Sequence, residues 1–232
     1  MDRGLIDELK EKVALACRVL GKLGLAEWLG HVSARIPGEE AMVIKGRSSE
    51  AEDMKKTSKE HMVIQGFDGK VWEGKLQNPF EWPMHACIFR KRPDVEAVVH
   101  THQVMATAFV TAGKTILPIW HPGMAAPVAT PPPVLDDASL LVTVEQGDQL
   151  AETLGSHTVC LLRGHGVITV GQSVEAATLT AIYLEKQAEM NYLALQIGTP
   201  KRLTDMELDL RPTSSKIIQG HWAYFRGLVE GE

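Results

Sequence analysis

The chain has 232 residues, 44% hydrophobic and 23% charged; this is globular composition at the length of one large domain or two small ones, and it excludes a disordered or fibrous chain. A core of that size needs neither disulfides nor structural metal, and a formal net charge of −5 draws the chain toward neither nucleic acid nor an anionic membrane. Three scattered cysteines (Cys17, Cys87, Cys160) without a CxxC pair, an N-terminus with acids among its apolar residues, and no apolar run near the roughly 20 residues of a membrane span lead us to expect a soluble cytoplasmic protein with buried free thiols.

Ile6, Leu9, Val13, Ala16, Leu20 and Leu23 recur at three-four spacing and predict a helix that stops at Gly24. His31–Ile36 and Ala41–Ile44 read as a hairpin around Pro37-Gly38. The polar stretch Arg47–Lys59 reads as a mobile loop. A second hairpin, His61–Ile64 with Val71-Trp72, turns at Asp68-Gly69. Pro79–Arg90 predicts a helix starting at or just after Glu81. Glu96–His102 is a buried strand, and a helix follows over Val104–Ala112. His121–Pro133, rich in Pro, Gly and Ala, is a long ordered loop. Gly147–Leu154 is a short helix. Thr158–Leu162 and Val167–Val170 are strands joined by Arg163-Gly164-His165-Gly166, and a long helix, capped by Ser173 and ended by Gly198, runs from Val174 to Leu195. Strands joined by both hairpins and helices predict a mixed or antiparallel sheet covered by helices. No GxGxxG follows a strand, and no GxxxxGK[ST] is present.

The chemistry-bearing residues are few. His100 and His102 sit at i and i+2 on a strand, so both imidazoles face one side, ready for one metal ion or left as two surface histidines on an edge. Val98 and Val99 favour the buried case, where paired imidazoles need a partner. His165 lies between two glycines in a tight turn; it is either a third ligand of an open metal site or incidental to the hairpin. Glu81, at a helix start, is either an ordinary first-turn acid or a ligand and proton carrier. His85, at i+4 from Glu81, reads as a residue that supports the ligands or packs.

Together these motifs are recognisable. Glu81-Trp82-Pro83-Met84-His85, the run Arg92–His102, Leu162-Arg163-Gly164-His165-Gly166-Val167 and Gly30-His31-Val32-Ser33-Ala34-Arg35 resemble the class II aldolase/adducin family. The resemblance covers about residues 5 to 197. It implies an α/β fold, a three-layer α/β/α sandwich with a central, largely antiparallel sheet. We take 1–232 as one such domain with a C-terminal extension from about 200 to 232. The resemblance also implies one divalent metal ion per subunit (Zn, Mn, Fe or Co), held by the matching His100, His102 and His165. The acid matched by Glu81 ligates metal in some members and moves protons. Adducin heads share the fold without the ligand set.

The chain departs from the sugar-phosphate aldolases of that family at their phosphate cradle. Where their motifs read roughly Gly-Asn-x-Ser, Thr-Pro-Ser-Gly and Ser-Ser-Glu, this chain has His31, Lys45 to Arg47, and Phe80 before Glu81. An aromatic ring, an imidazole and fixed cations suit a flat, small anionic substrate, with Arg47 gripping a carboxylate at two points; on charge alone, Lys45 and Arg47 also read as part of a solvated loop. The pattern is similar to the family's decarboxylase branch, which includes enzymes acting on dihydroxyphthalate or hydroxypyridine dicarboxylate. The expectation is a metal-dependent carbon–carbon lyase that decarboxylates a hydroxylated aromatic acid through metal and Glu81, with His31, Lys45, Arg47 and Phe80 on the substrate. The alternatives are an aldolase or dehydratase for a small hydroxy-carbonyl compound, and a non-catalytic adducin-like module. The family also implies a homotetramer with sites near subunit boundaries. His221 and Tyr224 then either complete a neighbour's pocket or pack as a surface helix on their own subunit.

Overall fold

In a computed structural model of the chain, residues 2–26, 29–47, 53–209 and 215–230 are described. The chain begins with helix α1 (Arg3–Lys22), whose Asp2 carboxylate caps the Gly4 N–H at 2.9 Å. Strands β1 (His31–Arg35) and β2 (Ala41–Lys45) follow as the expected hairpin, then β3 (Met62–Gly66) and β4 (Val71–Glu73). Helix α2 (Trp82–Lys91) starts just after Glu81. After it come β5 (Ala97–Thr101), α3 (Val104–Thr111), β6 (Val134–Leu135), α4 (Val144–Leu154), β7 (Val159–Leu162), β8 (Gly166–Gly171), α5 (Val174–Ile197), α6 (Asp205–Asp209) and α7 (Ser215–Gly227).

The strands form one eight-stranded sheet in the order β4-β3-β2-β1-β5-β8-β7-β6. Every pairing is antiparallel except β6 with β7. Alternation along the strands gives the sheet two apolar faces. Val32, Ala34, Val43, Ile64 and Val99 pack against α1, α5 and α7, and Val159, Leu161 and Val167 meet α3 and α5 on the same side. Met42, Ile44, Val98, Leu162 and Ile168 pack against α2 and α4. The result is the helix–sheet–helix sandwich expected from the sequence. Cys17, Cys87 and Cys160 are free and buried, and burial pushes their thiols up to about 12, 11 and 12.

Two expectations are corrected, and a third gains detail. Helix α4 begins at Val144, three residues before Gly147, because Thr143 and Gln146 form a reciprocal capping box. Within the stretch read as a mobile loop, residues 48–52 lie outside the described residues, but the remainder is built in: Met54 is fully buried among α1 side chains, and Arg18 Nη1 donates to the Thr57 carbonyl at 2.9 Å. The long loop before β6 holds two short 3₁₀ turns, and its approach is fastened to α5. Asn191 pairs with both backbone groups of Leu117, and Gln187 accepts from the Ile119 and Trp120 N–H groups. A second tie runs from α5 to the β5–α3 junction. The buried Glu185 carboxylate accepts from the Met105 and Ala106 N–H groups at 2.8 and 3.0 Å, satisfying the start of α3.

The turn between β7 and β8 is close-fitted. Gly164 takes φ +68°, and a Cβ at Gly166 would come within 2.3 Å of the Thr101 carbonyl oxygen and 3.1 Å of the His102 ring. Gly166→Ala should therefore force β8 away from the end of β5, lowering stability by about 1–3 kcal/mol. Urea denaturation followed by far-UV circular dichroism measures it; an unchanged midpoint would contradict the close approach.

Candidate metal centre

The ends of β1 and β5, the β7–β8 turn and the start of α2 meet at one end of the sheet. His31 opens β1 and lies directly opposite His100 on β5, so both side chains share the α2 face. Strand β5 ends at Thr101, which leaves His102 one residue past the last paired position. Its Nε2 still lies 3.0 Å from His100 Nε2, as the i, i+2 spacing requires. The β7–β8 turn brings in His165, whose ring centroid is 5.0 Å from that of His100 and 5.4 Å from that of His102. Glu81, the N-cap of α2, points its carboxylate into this ring of imidazoles. Its Oε1 accepts from the Leu141 N–H at 3.1 Å and lies 3.4 Å from His165 Nε2, and its Oε2 lies 3.7 Å from both His31 Nε2 and His100 Nε2.

The donor set fits a divalent cation. One ligand atom from each of Glu81, His100, His102 and His165 falls within 4.8 Å of the others. His100 Nδ1 is 3.0 Å from the Val167 carbonyl oxygen, an acceptor only, so Nδ1 carries the proton and Nε2 presents its lone pair inward. Both ring nitrogens of His165 are buried without a hydrogen-bond partner, an arrangement that is costly unless something binds there. Three imidazoles and a carboxylate are an ordinary ligand set for Zn, Mn, Fe or Co.

Burial sets the charge states. It holds His100 and His85 well below the ordinary imidazole range, and it lowers His31. Burial, with the neighbouring charges of His165 and His31, pushes His102 down to about 4. For Glu81, burial acts to raise the carboxyl, but the hydrogen bond and charge of His31, the charge of His165 and the Leu141 N–H together outweigh it and keep the group below the usual carboxylate range. Imidazoles pushed toward the neutral form at His31, His100 and His102 and a carboxylate held toward the ionised form suit a cation.

Behind this group stands a buried chain that sequence reading assigned only in part. His31 Nδ1 lies 2.7 Å from His85 Nε2, and His85 Nδ1 lies 2.6 Å from Ser33 Oγ. All three side chains are buried. The signals were present in the i+4 spacing of Glu81 and His85 and the i, i+2 spacing of His31 and Ser33. The remaining predicted residues lie elsewhere. Alternation places Lys45 on the α1 face of β2, opposite Met62, although its charge acts on both Cys17 and His31. Arg47 stacks its guanidinium 3.9 Å over the ring of Phe80 and donates to Gln77, while Phe80 itself is 62% exposed. This pair joins the cluster through the chain, Phe80 preceding Glu81. His221 hydrogen-bonds to Tyr183 of its own chain, and Tyr224 is exposed on α7.

Three comparisons bear on this site. The sequence profile of the Class II Aldolase and Adducin N-terminal domain matches residues 11–192. A 3,4-dihydroxyphthalate decarboxylase of Arthrobacter keyseri is 35% identical over 213 residues, covering 86% of this chain and 84% of that protein. A 5-methylthioribulose-1-phosphate/5-deoxyribulose-1-phosphate aldolase of Rhodospirillum rubrum is 30% identical, covering 89% and 86%. Among solved structures, an L-fuculose 1-phosphate aldolase from Glaciozyma antarctica PI12 superposes with a TM-score of 0.81 at 21% identity, over 97% of this chain and 89% of that one. The chain belongs to the class II aldolase and adducin family.

Protein carrying His100→Ala, His102→Ala and His165→Ala together should purify without bound divalent ion yet keep its far-UV circular dichroism, because the two apolar faces of the sheet do not depend on the cluster. Elemental analysis is the readout, and stoichiometric metal in that variant would sink the assignment.

Proposed function

We propose that this member of the class II aldolase and adducin family is a divalent-metal-dependent lyase that decarboxylates a hydroxylated aromatic acid. The observation that carries this reading is the stack of Arg47 on Phe80 directly before Glu81, at positions where the family's aldolases keep small hydroxyl and amide groups for a phosphate. A phenyl ring cannot donate to a phosphate, whereas a ring topped by a guanidinium suits a flat anion. Relatives at 35% and 32% identity named as 3,4-dihydroxyphthalate decarboxylases support the same substrate class.

Glu81, His100, His102 and His165 would hold the ion, which when bound acts as a Lewis acid toward the negative charge that develops as carbon dioxide leaves. The chain's own residues handle the rest. Glu81 is ionised at rest, so it can accept the proton of a ring hydroxyl and then deliver it to the ring carbon that loses its carboxylate. The carbon–carbon bond breaks, its electron pair takes that proton, and the ring oxygen is reprotonated from solvent; one proton is consumed for each carbon dioxide released. The Leu141 N–H fixes one carboxylate oxygen of Glu81 while the other faces His31. Arg47, whose Nε has no partner, has donor capacity left for a substrate carboxylate.

A second reading, aldol cleavage of a sugar phosphate, draws on the aldolase relative at 30% identity and on a cluster that would serve either reaction. A panel of hydroxyaromatic carboxylates and ketose or aldose phosphates separates the two. Carbon dioxide release from the former is expected; efficient cleavage of a sugar phosphate would restore the aldolase reading.

Glu81→Gln should lower turnover by roughly a hundredfold or more while the three histidines retain metal. Normal turnover in that variant would move proton transfer elsewhere. Arg47→Ala should weaken substrate binding by about 1.5–3 kcal/mol, read as a raised KM. Arg47→Lys should recover only part of this, because an ammonium lacks the planar two-point contact; a KM unchanged in both would remove Arg47 from the substrate.

A further inference from the structure

The Leu141 N–H holds Glu81, and the Val167 carbonyl holds His100. His102 is placed differently. It stands one residue past the last paired position of β5, where the ladder no longer fixes the chain. Two residues later the backbone is already helical, since α3 begins at Val104. Gln103, between them, is still extended at φ −58° and ψ 125°, so it is the pivot at which strand becomes helix. A rotation at this pivot would swing the His102 ring away from His100, whose Nε2 now lies 3.0 Å from its own.

The pivot is fixed from the other side of the sheet. Alternation turns His100 and His102 toward the ligand cluster, and Thr101 and Gln103 toward α5. Thr101, Gln103 and Glu185 are all buried. Gln103 Nε2 lies 2.9 Å from the Ala181 carbonyl oxygen, which only accepts. The amide nitrogen therefore faces α5, and the amide oxygen turns back to accept from the Thr101 hydroxyl at 2.7 Å. The Glu185 carboxylate takes the donors that follow. Its Oε1 accepts from the Met105 N–H at 2.8 Å, and its Oε2 from the Ala106 N–H at 3.0 Å and from Gln103 Nε2 at 3.4 Å. Gln103, the N-cap of α3, makes no side-chain cap bond of its own, so these first N–H groups are answered from α5. The chain on both sides of His102 is thus fastened to one helix.

We infer that Glu185, acting with Gln103 and Thr101, is a positioning residue for the metal ligand His102. It fixes where β5 ends and α3 begins, and so sets the direction of the His102 ring. It touches neither ion nor substrate. The role rests on the metal centre and is independent of which substrate the lyase takes. Glu185→Gln keeps the shape of the side chain yet breaks the arrangement. An amide turned either way sets its NH₂ against one of the backbone N–H groups.

The test is titration of the metal-free, full-length protein with cobalt(II), read by visible d–d absorption, which reports ligand number and geometry. Zinc affinity is measured alongside by competition with a chelator. Glu185→Gln should bind zinc about ten- to a hundredfold more weakly, the range for residues that orient metal ligands. Its cobalt spectrum should shift toward that of His102→Ala. Thr101→Val, which removes only the hydroxyl, should shift the spectrum the same way with a loss of about two- to tenfold, the worth of one hydrogen bond. Asn191→Ala removes a tie from the same helix to Leu117, and should leave spectrum and affinity at wild-type values. A wild-type spectrum and affinity in folded Glu185→Gln, or the same change in Asn191→Ala, would overturn the positioning role. If Glu185→Gln does not fold, Thr101→Val decides in the same way. Wild type that takes up no cobalt would overturn the metal centre and this proposal together, whereas wild type that binds it, with the variants unchanged, would overturn the positioning role alone.

Discussion

Five imidazoles and one carboxylate are packed together at one end of the sheet, and the need to satisfy so much polarity out of water is the constraint on which the arrangement of the site's surroundings depends. Three members of the cluster have their remaining polar group answered by something rigid. For His100 the answer is the Val167 carbonyl on the next strand. For His31 it is a side chain on the helix overhead. For Glu81 it is the Leu141 N–H just before α4. Strand β5, which carries His100, lies between β1 and β8 near the middle of the sheet and so has a neighbour on each side. The ties from α5, through Glu185 at the start of α3 and through Gln187 and Asn191 to residues 117–120, hold the segments on either side of α3 against the same frame.

Much of this was legible in the sequence because it is encoded locally. Two-residue alternation in Val98–His102 placed His100 and His102 on one face, and glycines on both sides of His165 marked a turn that brings a ring close to backbone. The Glu81 helix start was read from its place just after Pro79. What escaped was carried by contacts between distant segments. The start of α4 depended on weighing Thr143 and Gln146 as a reciprocal cap against an interior glycine. The burial of Met54 in a polar stretch depended on α1 offering space at Gly21, which no local pattern reports. His85 looked like packing because its partners, His31 and Ser33, come from a strand some fifty residues earlier. Lys45 and Arg47 were grouped by proximity in sequence, although Lys45 ends β2 against the α1 layer and Arg47 lies past the strand, bridged to Gln77.

The two helical layers serve different ends. The α1, α5 and α7 side is almost wholly apolar where it meets β1, β2 and β3, including Trp222 and Phe225 from α7. The α2 and α4 side is apolar through most of its length, with Arg35 bonded to carbonyls at the far end of α2 and the imidazole cluster gathered where α2 begins. Chemistry is thus confined to the end of one interface, where a helix N-terminus favours the negative charge of Glu81. Arg47 and Phe80 extend that end outward, with an aromatic face exposed.

The two border strands of the sheet are its shortest: β4 has three residues, all exposed, and β6 has two. An eight-stranded sheet ordinarily carries two long rows of unpaired N–H and C=O groups that can template pairing with another chain. Here those rows are cut to a few positions, and Lys10 reaches from α1 to Glu73 at one of them, leaving a charged pair beside the open backbone. Crowded or concentrated protein therefore has little exposed ladder on which to extend, and aggregation by edge-to-edge strand addition is suppressed at both ends of the sheet.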